Sequence, residues 1–366
     1  MLITIISFLA VLSVLVIAHE FGHYWTAKKS GMKVYEFGLG FPPKIFGWTD
    51  KNGTEWTFNL IPLGGFVRIK GENGDDPSAN DADSFSAKSK IARFIVLIGG
   101  VSMNIIVAFI LLTLVYAGMS GKVTLEPADL VPKFLQISEP QVSFIGFDER
   151  FSNAELNIPK EATLQSIDGI DISSASEVRE KLLFSAENNE SVEIVVSSNG
   201  ELMNYTLSPE LIEGQDLPKF GISIADVVET KIPFWYVPIM AFISTFSYLW
   251  LIIAGFFGLI RDIFIGVGVQ EAVAGPIGIA KITGEIAQSG LSNLLHFAAI
   301  LSLNLAVLNA LPFPALDGGR ILFVLIEAIR GKKNSPQIEA MVHASGFALL
   351  MILIVIITYR DIVNLL

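Results

Sequence analysis

Five uncharged, apolar runs, each close to or beyond the roughly 20 residues needed to cross a bilayer core, dominate this 366-residue chain. They are Leu2 to His19, Phe94 to Ser120, Ile232 to Ile260, Ile286 to Leu316 and Ala340 to Tyr359. Only 17% of the residues are charged, against about 25% in ordinary soluble domains, so part of the chain is dissolved in lipid. The first run has neither a basic leader nor a small-residue cleavage site. It runs straight into His19 and Glu20 and reads as a membrane helix rather than a signal peptide.

Between the second and third runs, Gly121 to Lys231 is polar. Ser174-Ala175-Ser176-Glu177 is a capping box opening a helix through Val178 and Leu182. Val192–Ser198 and Leu202–Leu207 alternate about an Asn199-Gly200 turn, and Asp168-Gly169 is a second turn. The expectation is a small α+β domain outside the membrane. Residues 119–231 hold 20 acids and 8 bases, whereas the rest of the chain holds 16 and 17. The net charge of −11 therefore belongs to this insert, and it argues against a nucleic-acid partner. Gly71 to Ser89 reads as a polar loop.

Basic residues set the orientation. Lys28, Lys29, Lys33 and Lys44 follow the first run, and Lys88, Lys90 and Arg93 precede the second, which puts that connection in the cytoplasm and the polar insert outside. Arg320, Arg330, Lys332 and Lys333 likewise place the end of the fourth run in the cytoplasm. The third run then cannot be a single crossing. It is either an interfacial helix, suited by Trp235, Tyr236, Phe242, Phe246, Tyr248 and Trp250, or half of a pair completed within Phe264–Ala280. The interfacial reading is preferred and leaves about four transmembrane helices. The expected organisation is a first helix in 1–30, a cytoplasmic-side β-hairpin region and loop in 31–90, a second helix in 91–119 and the outer domain in 120–231. An interfacial segment follows in 232–285, then a third core helix in 286–331 and a last helix in 332–366.

His19-Glu20-Phe21-Gly22-His23 is an H-E-x-x-H motif. On a helix, positions i and i+4 share a face, so both imidazoles can reach one zinc ion, with Glu20 beside them to take a proton from water. A catalytic zinc needs a third protein ligand. The chain has no cysteine and only four histidines, which leaves carboxylates, His296 or His343. His296 and His343 suit headgroups or buried partners better than zinc. Asp317 stands out in Asn309-Ala310-Leu311-Pro312-Phe313-Pro314-Ala315-Leu316-Asp317-Gly318-Gly319, where two prolines break the helix at membrane depth. Such backbone is tolerated only around a protein-lined or watery cavity. A helix N-cap is the alternative role for Asp317.

HEFGH on the first helix with NALPFPALDGG on a later one resembles the site-2 protease family of the RseP type. Ile61-Pro62-Leu63-Gly64-Gly65-Phe66-Val67, Gly100 with Asn104, and Gly275-Pro276-Ile277-Gly278 resemble further family segments in order. The resemblance implies an intramembrane zinc metalloendopeptidase. His19, His23 and Asp317 would bind zinc, Glu20 would be the catalytic base, and Asn304, Asn309, Gly64 and Gly65 would bind substrate. It implies a membrane-dipping β-hairpin, read as a strand pair within Thr54–Lys70 turned near Pro62–Gly64. It also implies a single extracytoplasmic PDZ-like domain, with a peptide ligand as its expected partner. The place would be the inner membrane, as a multi-pass protein, and the substrates transmembrane segments such as an anti-sigma factor or signal-peptide remnants. Two departures stand out: Val101 replaces the family proline, and the PDZ signature is reduced to Glu155-Leu156-Asn157-Ile158-Pro159-Lys160-Glu161. A transporter or a silent PDZ-bearing scaffold are the competing classes. The first predicts repeated halves and the second a damaged motif, and neither is visible.

Overall fold

The computed structural model describes residues 2–72, 80–118, 122–125, 132–135, 138–148, 150–159, 162–198, 200–212, 217–265 and 275–363. The chain divides into two units, Met1–Gly118 with Pro238–Leu366, and Met119–Val237.

In the first unit, α1 (Leu2–Lys29) carries the H-E-x-x-H residues in its last third. An apolar helix satisfies every backbone group within itself, the condition for crossing lipid. Lys28 and Lys29 close its last turn, where cations complement the helix dipole. Two long strands follow, β1 (Val34–Thr49) and β2 (Glu55–Ile69). The turn between them lies at Asp50–Gly53, closed by the bond from the Gly53 N–H to the Asp50 carbonyl. The expected strand pair within Thr54–Lys70 is thus corrected: the partner of β2 is β1. Residues 36–39 pair with 65–68 on one side and with 55–58 on the other. Pro62–Gly64 is a bend inside β2, with Gly64 at φ 103°. Gly71–Ser89 includes a short 3-10 turn at Phe85–Ala87, and residues 73–79 of that expected loop lie outside the described residues.

Helix α2 (Lys90–Gly118) packs along α1 at glycine. A Cβ on Gly22 would meet the Gly99 carbonyl, with the Gly99 carbonyl carbon 2.6 Å away. Val96 and Leu97 of α2 join Ala27, Met32, Val34, Ile69 and Phe85 in one buried core.

Helix α4 (Val237–Ile265) covers the third apolar run; residues 266–274, where a paired half was an alternative, lie outside the described residues. The fourth run does not form one helix. Gly290, at φ 116°, separates α5 (Pro276–Gln288) from α6 (Leu291–Ala310), and the two prolines end α6 before α7 (Asp317–Arg330). Helix α8 (Pro336–Val363) closes the described chain. Among the described residues, five helices are long and apolar enough to cross a membrane: Leu2–Lys29, Lys90–Gly118, Phe234–Arg261, Leu291–Ala310 and Gln337–Val363. This is a multi-pass membrane protein.

Among its described residues, the second unit is a sheet packed with one α-helix. Its strands are β3 (Lys122–Leu125), β4 (Gln141–Phe147), β5 (Thr163–Ile167), β6 (Ile170–Asp171), β7 (Val192–Ser198), β8 (Glu201–Leu207) and β9 (Ile222–Lys231). They run in the order β3-β9-β4-β5-β7-β8, with β6 on β5. Asp168 and Gly169 both take positive φ between β5 and β6, as the sequence turn requires. Ser198 pairs with Glu201 across the β7–β8 turn, whose Asn199 lies outside the described residues. Helix α3 (Ala175–Glu187) buries Ala175, Val178, Leu182 and Ala186 against Phe144, Leu164 and Ile194. Ser174 Oγ accepts from the Glu177 N–H, but the Glu177 carboxylate turns to the N–H and hydroxyl of Ser173. The reduced signature forms a 3-10 turn at Ser152–Leu156 followed by buried Ile158, and its Lys160 and Glu161 lie outside the described residues.

Candidate metal centre

Helical spacing puts the His19 and His23 side chains on one face of α1, and both are 8% exposed. They press against α2 at Gly100, where a Cβ would stand 2.7 Å from His19 Cε1 and 2.8 Å from His23 Cε1. Any larger residue there would occupy the space of the rings. The two Nε2 atoms lie 3.2 Å apart. Asp317 reaches the same point from 294 residues along the chain: its Oδ2 is 3.0 Å from His19 Nε2 and 3.2 Å from His23 Nε2.

Asp317 owes this position to a broken chain. Pro312 and Pro314 end α6, Ala315 takes φ 80°, and the Ala315 N–H donates to His343 Nδ1 at 3.0 Å. Asp317 then opens α7 as its first helical residue, with Leu316 as the N-cap, so the capping alternative is set aside. Gly318 and Gly319 sit against the backbone of Leu311 and Phe313 with no room for a side chain. Helix α7 is anchored by Val324 in the core, and by Arg93 Nη2 bound to Glu327 Oε1 at 2.7 Å.

The donor set suits zinc. Three ligand atoms, two imidazole nitrogens and a carboxylate oxygen, lie within 4.8 Å of one another, the chemistry that leaves a fourth position for water in catalytic zinc sites. His23 Nδ1 lies 2.9 Å from the Val96 carbonyl. That bond takes the ring proton and leaves the Nε2 lone pair facing the cluster. Glu20 leaves α1 beside them, and the Val67 backbone amide of β2 lies against its carboxylate.

The other sequence candidates divide. Gly65 belongs here: a Cβ on it would lie 3.4 Å from Glu20 Cγ. Gly64, one residue earlier, packs against the Phe41 ring instead. Asn304 does not face the cluster. Its amide donates to the Ile300 carbonyl, and it lines a cavity of about 450 Å³ with Ile252, Gly255, Phe256, Val307 and Leu308. Asn309 is half-buried in the last turn of α6. His296 bonds the Tyr248 hydroxyl at 3.1 Å. Sequence reasoning missed His343 as a support of the Asp317 loop, and it missed Arg93–Glu327. Buried charges at the ends of apolar runs were the available signal for that pair.

The family model for Peptidase family M50 matches residues 7–353. A Clostridium perfringens protein named "putative zinc metalloprotease" is 32% identical, covering 98% of this chain and 98% of its own length. The zinc metalloprotease RasP of Shouchella clausii is 29% identical over the same shares of both chains. A solved PDZ domain, from an SdrC-like protein of Listeria monocytogenes, covers 25% of this chain and 93% of its own length. Its identity is 14% and its TM-score 0.21, a likeness too faint to fix the fold of the second unit. Matched nearly from end to end by the family and by these metalloproteases, the chain belongs to peptidase family M50 and is a zinc-dependent intramembrane metalloprotease.

Proposed function

We propose that His19, His23 and Asp317 hold the zinc ion, that Glu20 is the general base, and that the substrate is a transmembrane segment of another protein. The carrying observation is the convergence of Asp317 on the two histidines from 294 residues away. When bound, zinc supplies a Lewis acid that polarises the scissile carbonyl and acidifies water. Glu20 takes the proton of the attacking water and delivers it to the leaving amine. Gly65 has no side chain to block that carboxylate.

His19 lies 17 residues beyond Leu2 in α1, roughly 26 Å along the axis at 1.5 Å per residue. In a core about 30 Å thick this puts the site near the far, lysine-rich end of α1, read as the cytoplasmic side, and water enters from there. A substrate helix hides its carbonyls in its own hydrogen bonds, so it must unwind before cleavage. Among the described residues, 65–68 pair with another strand on one side only. That edge, beside Glu20, can hold an unwound segment by main-chain bonds. Asn309, half-buried in the last turn of α6, is read from the resemblance as a substrate-binding residue. Asn304, to which the resemblance gives the same role, lines the α4–α6 cavity. The second unit is read as an extracytoplasmic PDZ-like domain that screens substrates still carrying a bulky outer part.

The test is cleavage of a model transmembrane substrate in detergent, with zinc content measured on the same samples. Glu20→Gln is expected to keep zinc and lose cleavage, and Asp317→Asn to lose both. Full cleavage by Glu20→Gln, or full zinc in Asp317→Asn, overturns the assignment.

A further inference from the structure

The two imidazoles are not held alike. His23 rests on a backbone carbonyl, whereas His19 Nδ1 meets the carboxamide of Asn104, with Nδ2 at 3.3 Å. Asn104 is completely buried on α2, one turn beyond Gly100, and among the described residues its Oδ1 has no hydrogen-bond partner. An orphaned carbonyl oxygen is costly in a protein interior, so an uncapped amide oxygen beside a ligand ring calls for a reason. With Nδ2 toward the ring, the amide donates to Nδ1 and drives the imidazole proton onto Nε2, the atom that faces Asp317 and His23. A half-turn of the same amide puts Oδ1 against Nδ1. The oxygen then accepts the Nδ1–H, and Nε2 presents a lone pair. A carboxamide fills the same space in both orientations, and only the second is compatible with a metal on Nε2.

We propose that Asn104 is the positioning residue of the metal centre: its side-chain oxygen accepts the His19 Nδ1–H and thereby aims His19 Nε2 at zinc. The backbone around it is built to hold the amide still. Ser302 Oγ of α6, itself fully buried, donates to the Asn104 carbonyl at 2.8 Å, so α6 fixes the turn of α2 that carries the amide. Gly100 admits the ring on one turn, and Asn104 catches its far nitrogen on the next. An amide does this without adding a third carboxylate to a site that already holds Glu20 and Asp317. The inference rests on His19 being a zinc ligand.

Zinc affinity of the purified full chain, measured by competition with a chromophoric chelator, tests it independently of activity. Asn104→Leu removes the acceptor at similar size and is expected to weaken zinc 10–100-fold, the range for loss of a ligand's outer partner. Asn104→Asp restores an acceptor and is expected within a few-fold of the parent, with the parental cobalt absorption spectrum. Asn104→Ser, whose hydroxyl stops short of the ring, is expected to behave as Leu and serves if Leu does not fold. Parental affinity in Asn104→Leu or Asn104→Ser overturns the proposal, as does Asn104→Asp binding no better than Leu. His19→Ala separates the two levels. If it keeps parental affinity, the ligand assignment itself fails. If it loses zinc while Asn104→Leu does not, only the role of Asn104 fails.

Discussion

Gly100→Ala is the sharpest packing test of the centre. The added methyl would stand 2.7 Å from His19 Cε1 and 2.8 Å from His23 Cε1. Carbon atoms rest at about 3.5–4.0 Å, so the overlap is about 0.7–1.3 Å on both rings together. Either α1 and α2 part by that distance or both imidazoles swing aside. Zinc sites tolerate about 0.2 Å of ligand error, so either response takes a ligand out of range. The expected loss of zinc affinity exceeds 100-fold, or about 2.7 kcal/mol. Overpacking should cost the fold about 1–3 kcal/mol, leaving the protein folded. Chelator competition gives the affinity, and thermal unfolding of the metal-free protein gives the fold. Gly118→Ala, on the same helix with nothing among the described residues within 4 Å of the new methyl, is the control and should be silent in both. Parental zinc affinity in Gly100→Ala would show that the imidazoles do not lean on the backbone of α2.

Three other outcomes follow from the same structure. Ala315→Gly removes the left-handed strain at φ 80°, which costs a residue with a Cβ about 1–2 kcal/mol. It is expected to raise the urea midpoint slightly while Ala315→Val lowers it; a lower midpoint with glycine contradicts the strain. Glu327→Leu strands the buried Arg93 guanidinium and should cost about 3–5 kcal/mol, most of it recovered by adding Arg93→Leu; a single-variant cost below about 1 kcal/mol refutes the clamp. In the second unit, the N–H and hydroxyl of Ser173 hold the Glu177 carboxylate below its ordinary range. A depressed carboxylate stabilises above its unfolded pKa and loses that contribution as pH falls through the folded one. Glu177→Gln is therefore expected to lower the unit's unfolding midpoint at pH 7 and to match the parent in acid below the carboxylate range. An equal gap at both pH values contradicts this.

The candidate ligands were legible because their chemistry is local. His19, Glu20 and His23 share one helix, and Asp317 sits where two prolines force polar backbone into an apolar run. The turns at Asp168-Gly169 and the cap at Ser174 were legible for the same reason. Long-range pairing was not. The partner of β2 depends on residues 36–39 taking a strand on each side, and no periodicity within 54–70 encodes that. Gly290 broke the fourth run because one positive φ decides a helix boundary that hydropathy averages away. Asn304 and Asn309 looked equivalent by resemblance, yet five residues on α6 rotate one of them well over a quarter turn from the other. The supports at Val96, Asn104 and His343 needed the helix packing itself.

Zinc K-edge X-ray absorption on the purified protein tests the central claim most directly. The account predicts two imidazole nitrogens at about 2.0–2.1 Å and light oxygen ligands at about 2.0–2.2 Å, from His19, His23, Asp317 and water. Three imidazoles in the first shell, which would enlist His296 or His343, or fewer than two, would contradict it.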